Sequence, residues 1–140
     1  IYAPCALGAT INDETIPQLK CTIVNGAANN QLKEDRHGQV LKDKGILYAP
    51  DYLINAGGLM NVSIEFEGWN DDKSRRMIDK IYDTTLRIFN MSEERNIPVN
   101  EATDILAEER LDSMKKIQTT YLGRGSDHRF PGTKARHNKL

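Results

Sequence analysis

Cysteine is scarce in this chain: Cys5 and Cys21 are the only two in 140 residues, and their spacing fits neither a zinc site nor a disulfide framework. A reduced, cytoplasmic setting without a metal centre is expected. No apolar run reaches the roughly 18 residues a membrane helix needs, so no membrane partner is expected. An excess of one charge is missing too. The net charge is -1 and the pI about 6.3, which argues against nucleic acid as a main partner. No basic segment followed by an apolar stretch opens the chain, so no secretory signal is expected. There is no initiating methionine and no polar lead-in. Ile1-Tyr2-Ala3 starts directly on apolar residues, whereas chain ends are usually frayed and polar. The expectation is a fragment, cut inside or just before a strand. No internal repeat longer than one strand–helix unit is present.

What the chain does contain is organised around Tyr48-Ala-Pro-Asp-Tyr-Leu-Ile-Asn-Ala-Gly-Gly-Leu-Met-Asn-Val62. Ile46-Leu47-Tyr48 reads as a short buried strand, and Pro50, which cannot donate to a ladder, stops it. Asn55-Ala56-Gly57-Gly58 follows: one amide, then three residues with almost no side chain. Leu59 and Val62 share a face if the segment is helical. An amide, a bare patch and an apolar pair at a strand's C-terminal end suit a ligand site. The same residues also suit a strand–loop–helix joint whose glycines only permit close packing.

Two earlier segments repeat the pattern. Ile1–Ala3 reads as the tail of a strand stopped by Pro4 and followed by Cys5-Ala6-Leu7-Gly8. Asn12 or Asp13 caps a short helix expected through Leu19. Cys21-Thr22-Ile23-Val24 reads as a strand, followed by the small, polar Asn25 to Asn30. A helix beginning at Glu34 or Asp35 should run to about Lys44, with Gly45 as its C-cap. Three strand–loop–helix units imply an α/β fold with a parallel sheet whose ends lie side by side. It looks like the second half of a dinucleotide-binding fold. The G-x-G-x-x-G fingerprint of a first half is absent.

The domain expectations are residues 1–68 for this sheet unit, 69–122 for two long helices packing back on it, and 123–140 for a disordered tail. Asn70 should cap the first long helix, with Asp71 and Asp72 in its first turn and an apolar stripe through Met77, Ile78, Ile81, Tyr82, Thr85, Ile88 and Phe89 to about Arg95. After Ile97-Pro98, Asn100 should cap the second, with Ala102, Ile105, Leu106, Met114 and Ile117 near one face. Both stripes read as core packing. Lys33, Asp35 and Asp51 read as solvated charges at helix ends and turns.

Five segments in order carry a resemblance: Ala3-Pro-Cys-Ala-Leu-Gly8, Ala28-Asn-Asn-Gln-Leu32, Tyr48-Ala-Pro-Asp-Tyr52, Asn55-Ala-Gly-Gly58 and Ala107-Glu-Glu-Arg110. Together they resemble the leucine dehydrogenases of the glutamate/leucine/phenylalanine/valine dehydrogenase superfamily, from Ile1 to about Leu122. The resemblance implies NAD-dependent oxidative deamination of a branched-chain L-amino acid to a 2-oxo acid and ammonia. It places the catalytic lysine and aspartate on an N-terminal domain outside this chain. It implies that Cys5, Ala6, Leu7, Ala28 and Asn55 touch the cofactor, Asn55 through the nicotinamide carboxamide. It implies that Asn30 reaches the substrate, with Asn29 as a neighbour, and that Leu59 and Val62 line the pocket for the substrate side chain. A homo-oligomer is expected for the whole protein. Phenylalanine dehydrogenase and a non-catalytic nucleotide-binding module are the alternatives. Cys5 as a nucleophile finds no support, because no flanking cation or nearby general-base histidine accompanies it.

Overall fold

The computed structural model describes residues 1–66 and 68–120. Two strands, β1 (Ile23–Val24) and β2 (Leu47–Tyr48), pair in parallel with Val24 opposite Tyr48. Tyr2 joins the other side of β1 as a single parallel bridge to Val24, its N–H donating to the Ile23 carbonyl at 2.8 Å. Val24 is therefore flanked on both sides. The expected three strand–helix units reduce to this: a two-stranded parallel sheet with one bridge beside it.

The first unit also lacks its helix. Asn12 Oδ1 accepts the N–H groups of Glu14 and Thr15 at 3.0 Å, but it caps no helix: only a 3-10 turn forms at Ile16–Gln18, with Thr15 at its start. Pro17 is the reason: without an N–H it cannot bond the carbonyl of Asp13, so the turn cannot grow into an α-helix. By Leu19 the backbone is extended.

Helix α1 (Arg36–Asp43) follows β1 and ends as the sequence predicts. Gly45 takes φ +68°, which glycine adopts without a Cβ penalty. Its N–H bonds the Lys42 carbonyl, and the Ile46 N–H bonds the Leu41 carbonyl, a Schellman close. Ile46 then turns inward to the core formed by Ile11, Ile16, Val24, Leu41 and Tyr48.

After β2, α2 (Asp51–Ile54) and α3 (Ala56–Glu65) are separated only by Asn55. Helix α4 (Asp71–Arg95) starts as expected, with Asn70 Oδ1 accepting the Lys73 N–H at 2.8 Å, and stops at Asn96, whose φ of 53° is left-handed. Helix α5 (Val99–Thr120) begins one residue before the expected cap. The Pro98 carbonyl accepts the Ala102 N–H, so Asn100 lies inside the first turn. Its side chain is used elsewhere, donating to the Asp35 carbonyl at 3.2 Å and lying over Gly38 of α1.

A second apolar cluster, Ile88, Met91 and Ala102 with Leu53, Ile97, Val99, Ile105 and Leu106 around it, holds α4 and α5 against α2. The reading of both stripes as core holds in part. In α4, Ile88 is buried and Met77, Ile81, Thr85 and Phe89 are half-buried, but Ile78 and Tyr82 are exposed; in α5, Ala102 is buried and Ile105 and Leu106 are half-buried, but Met114 is exposed. Ile117 and the expected tail lie outside the residues whose side chains are described. Among the described residues, no helix is long and apolar enough to cross a membrane.

Candidate functional site

The three segments that follow Tyr2, β1 and β2 are tied to one another. The Ala28 N–H donates to the Pro4 carbonyl at 3.0 Å. Gly26 sits so close that an added Cβ would lie 2.2 Å from that same carbonyl oxygen. Gly8 presses on the next loop: a Cβ there would meet the Asn29 carbonyl at 2.8 Å. The Ala9 N–H donates to the Asn30 carbonyl at 2.7 Å. Inside the loop, fully buried Gln31 donates through Nε2 to the carbonyls of Gly26 (2.6 Å) and Ala28 (2.9 Å). The loop's curve is thus fixed by a side chain that sequence reading did not single out.

Asp51 joins the second and third segments. One carboxylate oxygen accepts the Asn30 N–H at 2.8 Å and the other accepts the Tyr48 hydroxyl at 2.9 Å. Asp51 is only 6% exposed, which corrects its reading as a solvated charge. Both oxygens are thus engaged in hydrogen bonds that tie the segments together. Burial, and then the adjacent Asp51 charge, push the Tyr48 phenol well above its ordinary value, so it stays protonated and donating.

Asn55 completes the cluster. Its Nδ2 donates to Asn29 Oδ1 at 2.6 Å and reaches the Ala27 carbonyl at 3.4 Å. Beyond it, Gly57 and Gly58 form an uncovered shelf, since a Cβ built on either meets nothing within 4 Å. Leu59 is 76% exposed and Val62 47% exposed, on the outer side of α3. Cys5, Ala6 and Leu7 are exposed, and so are Asn29 and Asn30; Ala28 is buried beneath them. The segments that carry Cys5 to Leu7, Ala28 to Asn30 and Asn55 are therefore brought together. Leu7, Asn30 and Asn55 lie on neighbouring, mutually bonded segments.

A second polar cluster lies away from this region. Donor atoms of Asp13, Glu34 and His37 are within 4.8 Å of one another, a spacing a cation could use. Its chemistry is different. Arg36 forks across it, bonding Asp13 at 2.5 and 2.9 Å and Glu34 at 2.9 Å, and holds both carboxylates below their ordinary values. Buried His37 accepts the Glu34 N–H through Nδ1 at 3.0 Å. Its Nε2 lies 3.4 Å from Asp13 Oδ1 but has no hydrogen-bond partner among the described residues. Arg36 already pairs both carboxylates of this cluster.

Comparison with known proteins agrees with this architecture. The sequence model of the Glutamate/Leucine/Phenylalanine/Valine dehydrogenase family matches residues 1–118. The chain is 54% identical to a leucine dehydrogenase of Bacillus cereus over 91% of its own length and 35% of that protein's. It is 44% identical to a phenylalanine dehydrogenase of Thermoactinomyces intermedius, covering 87% of this chain and 33% of that one. Among solved structures, L-tryptophan dehydrogenase from Nostoc punctiforme superposes with a TM-score of 0.78 at 49% identity, over 81% of this chain and 34% of that one. The chain thus spans about a third of the length of the relatives it matches.

Proposed function

Since this chain belongs to the glutamate/leucine/phenylalanine/valine dehydrogenase family, we propose that it is the cofactor-binding half of an enzyme that oxidatively deaminates branched-chain L-amino acids with NAD. The observation that carries the reading is the joining of three strand-end segments around Asn29, Asn30 and Asn55, beside an open glycine shelf.

The residues present fit a nicotinamide cofactor. The cluster's outward side chains are neutral amides, which pair donor to acceptor with a carboxamide. The shelf at Gly57 and Gly58 leaves room for a flat ring to approach the backbone. When bound, the cofactor supplies the acceptor for the electrons removed from the amino acid. Asn55 holds its carboxamide, and the Asn29 contact at 2.6 Å fixes which way the Asn55 amide faces. Cys5, Ala6 and Leu7 would run along the cofactor through backbone and small apolar groups, and Ala28 would lie beside the nicotinamide. Asn30 binds the substrate carboxylate through its amide, which is neutral and so needs no counter-charge. Leu59 and Val62 offer apolar surface to the substrate side chain. Burying an aliphatic group there is worth roughly 1.5–3 kcal/mol. Helix α3 carries no lysine or arginine to receive a glutamate side chain. The exposure of Leu59 and Val62 in this chain fits a pocket closed by a part of the protein that the chain does not include.

The test is a steady-state assay of the full-length protein with L-leucine, L-valine, L-isoleucine, L-phenylalanine and L-tryptophan, each with NAD and NADP. Highest kcat/KM on a branched-chain substrate with NAD supports the proposal. A preference for phenylalanine or tryptophan moves the specificity to those relatives. NAD binding with no turnover on any amino acid overturns the enzymatic reading in favour of a non-catalytic module.

A further inference from the structure

Asn30 has an unusual backbone for a residue with a side chain: its φ of 53° is left-handed, a conformation asparagine tolerates better than most. Two contacts hold it there. Its carbonyl accepts the Ala9 N–H at 2.7 Å, and its N–H donates to Asp51 Oδ2 at 2.8 Å. Among the described residues its side chain makes no hydrogen bond, so the clamp leaves the amide as its free group. Resting on the assignment of Asn30 to the substrate, we propose that Asp51, braced by Tyr48, is a positioning residue that fixes the conformation in which Asn30 presents its amide to the amino acid.

The arrangement is expensive to build for packing alone. Asp51 is a nearly buried carboxylate, and no lysine or arginine pairs with it among the described residues. Burying a charge without a cation is disfavoured unless hydrogen bonds replace the lost water. Here two donors do so, and one is the backbone N–H of the residue proposed to touch the substrate. The other comes from Tyr48, a 3% exposed residue of β2, so the carboxylate is anchored to the buried core around the sheet. Placing a group by locking its neighbours is how a supporting shell sharpens a binding site. Asp51 itself does not touch the substrate.

The test is a double-mutant cycle in the full-length enzyme, with L-leucine and NAD as probes. Asp51→Ala is expected to lower kcat/KM for leucine by roughly tenfold or more, chiefly through KM, as loss of a charge-assisted hydrogen bond implies. KM for NAD should move by no more than about twofold. Asp51→Asn can still accept from Asn30 and donate to the phenol, and should recover most of the loss. In an Asn30→Ala background the same Asp51→Ala change should cost no more than about a further twofold. An equal loss in both backgrounds makes Asp51 merely structural and overturns the inference. If Asp51→Ala does not fold, Tyr48→Phe takes its place in the cycle, with a smaller loss that again vanishes beside Asn30→Ala. If Asn30→Ala alone leaves the leucine KM unchanged, Asn30 is not a substrate contact, and that reading falls together with the inference. A cost at Asn30 with no coupling sinks the Asp51 inference alone.

Discussion

Asn55 donates its side-chain amide to Asn29 Oδ1 across 2.6 Å, joining residues 26 positions apart in sequence. The bond uses one of the two Nδ2 protons of Asn55 and leaves its Oδ1 without a described partner. Asn29 thereby acquires a definite job, although the sequence assigned it only the rank of a neighbour. Replacing Asn29 by alanine is expected to raise KM for NAD in the full-length protein by about fivefold, the equivalent of about 1 kcal/mol for one net hydrogen bond. Initial-rate measurements against varied NAD check it. An unchanged KM would show that the pair does not orient the cofactor.

The glycines divide into two kinds, with opposite expected outcomes. Gly26→Ala forces a methyl to within 2.2 Å of the Pro4 carbonyl oxygen, where only backbone movement can relieve it. Stability should fall by about 1–3 kcal/mol or more. Gly58→Ala meets nothing within 4 Å and lies in a helix, so stability should rise by up to about 1 kcal/mol. Turnover should nevertheless fall by roughly tenfold or more, because the methyl occupies the shelf proposed for the ring. Thermal melts and assays on both variants test this. A fully active Gly58→Ala protein would remove the shelf from the site.

Gly38 and Asn100 should be energetically coupled. A Cβ on Gly38 would lie 1.8 Å from Asn100 Oδ1, the far end of a flexible side chain. Gly38→Ala alone should destabilise by about 1–3 kcal/mol through overpacking. Combined with Asn100→Ala, the clash disappears, and the double variant should be more stable than the two single losses predict. Denaturant unfolding of the four proteins measures the coupling. Simple additivity would mean that α5 does not seat on α1 as described.

The Arg36 network gives a pH dependence of known sign. Its hydrogen bonds are the main reason the Asp13 and Glu34 carboxylates lie below their ordinary values of 3.8 and 4.5. A carboxylate with a depressed folded value adds stability above its unfolded value and loses it as pH falls through the folded one. The melting-temperature advantage of wild type over Arg36→Gln should be complete near neutral pH. It should shrink below pH 4.5 and vanish once both groups are protonated. These side chains are solvent-facing, so added salt should also reduce the advantage. An advantage that persists in acid would assign Arg36 another role.

Much of the architecture was legible in local sequence. Asn70 as a cap, Gly45 as a helix close, the strands at β1 and β2 and the length of α4 all follow from turn chemistry and periodicity. The strand-end segments were legible too, because small residues recur at all three and an amide at two of them. Asp51 was misjudged because its partner lies 21 residues upstream, and no local pattern reports a distant N–H. Pro17 could have warned against a helix at Ile16–Gln18. Asn100 looked like a cap because it follows Pro98; the proline carbonyl had already started the helix. The exposed Ile78 and Tyr82 show the limit of periodicity, which marks an apolar face without showing what covers it.

The central claim is that a nicotinamide and an amino acid meet at the joined strand ends. A crystal structure of the full-length protein with NAD and the 2-oxo acid product tests it most directly. The account predicts the nicotinamide carboxamide within hydrogen-bonding distance of Asn55, and the acid's carboxylate within that distance of Asn30. Either ligand bound away from the segments that carry Leu7, Asn30 and Asn55 would contradict it.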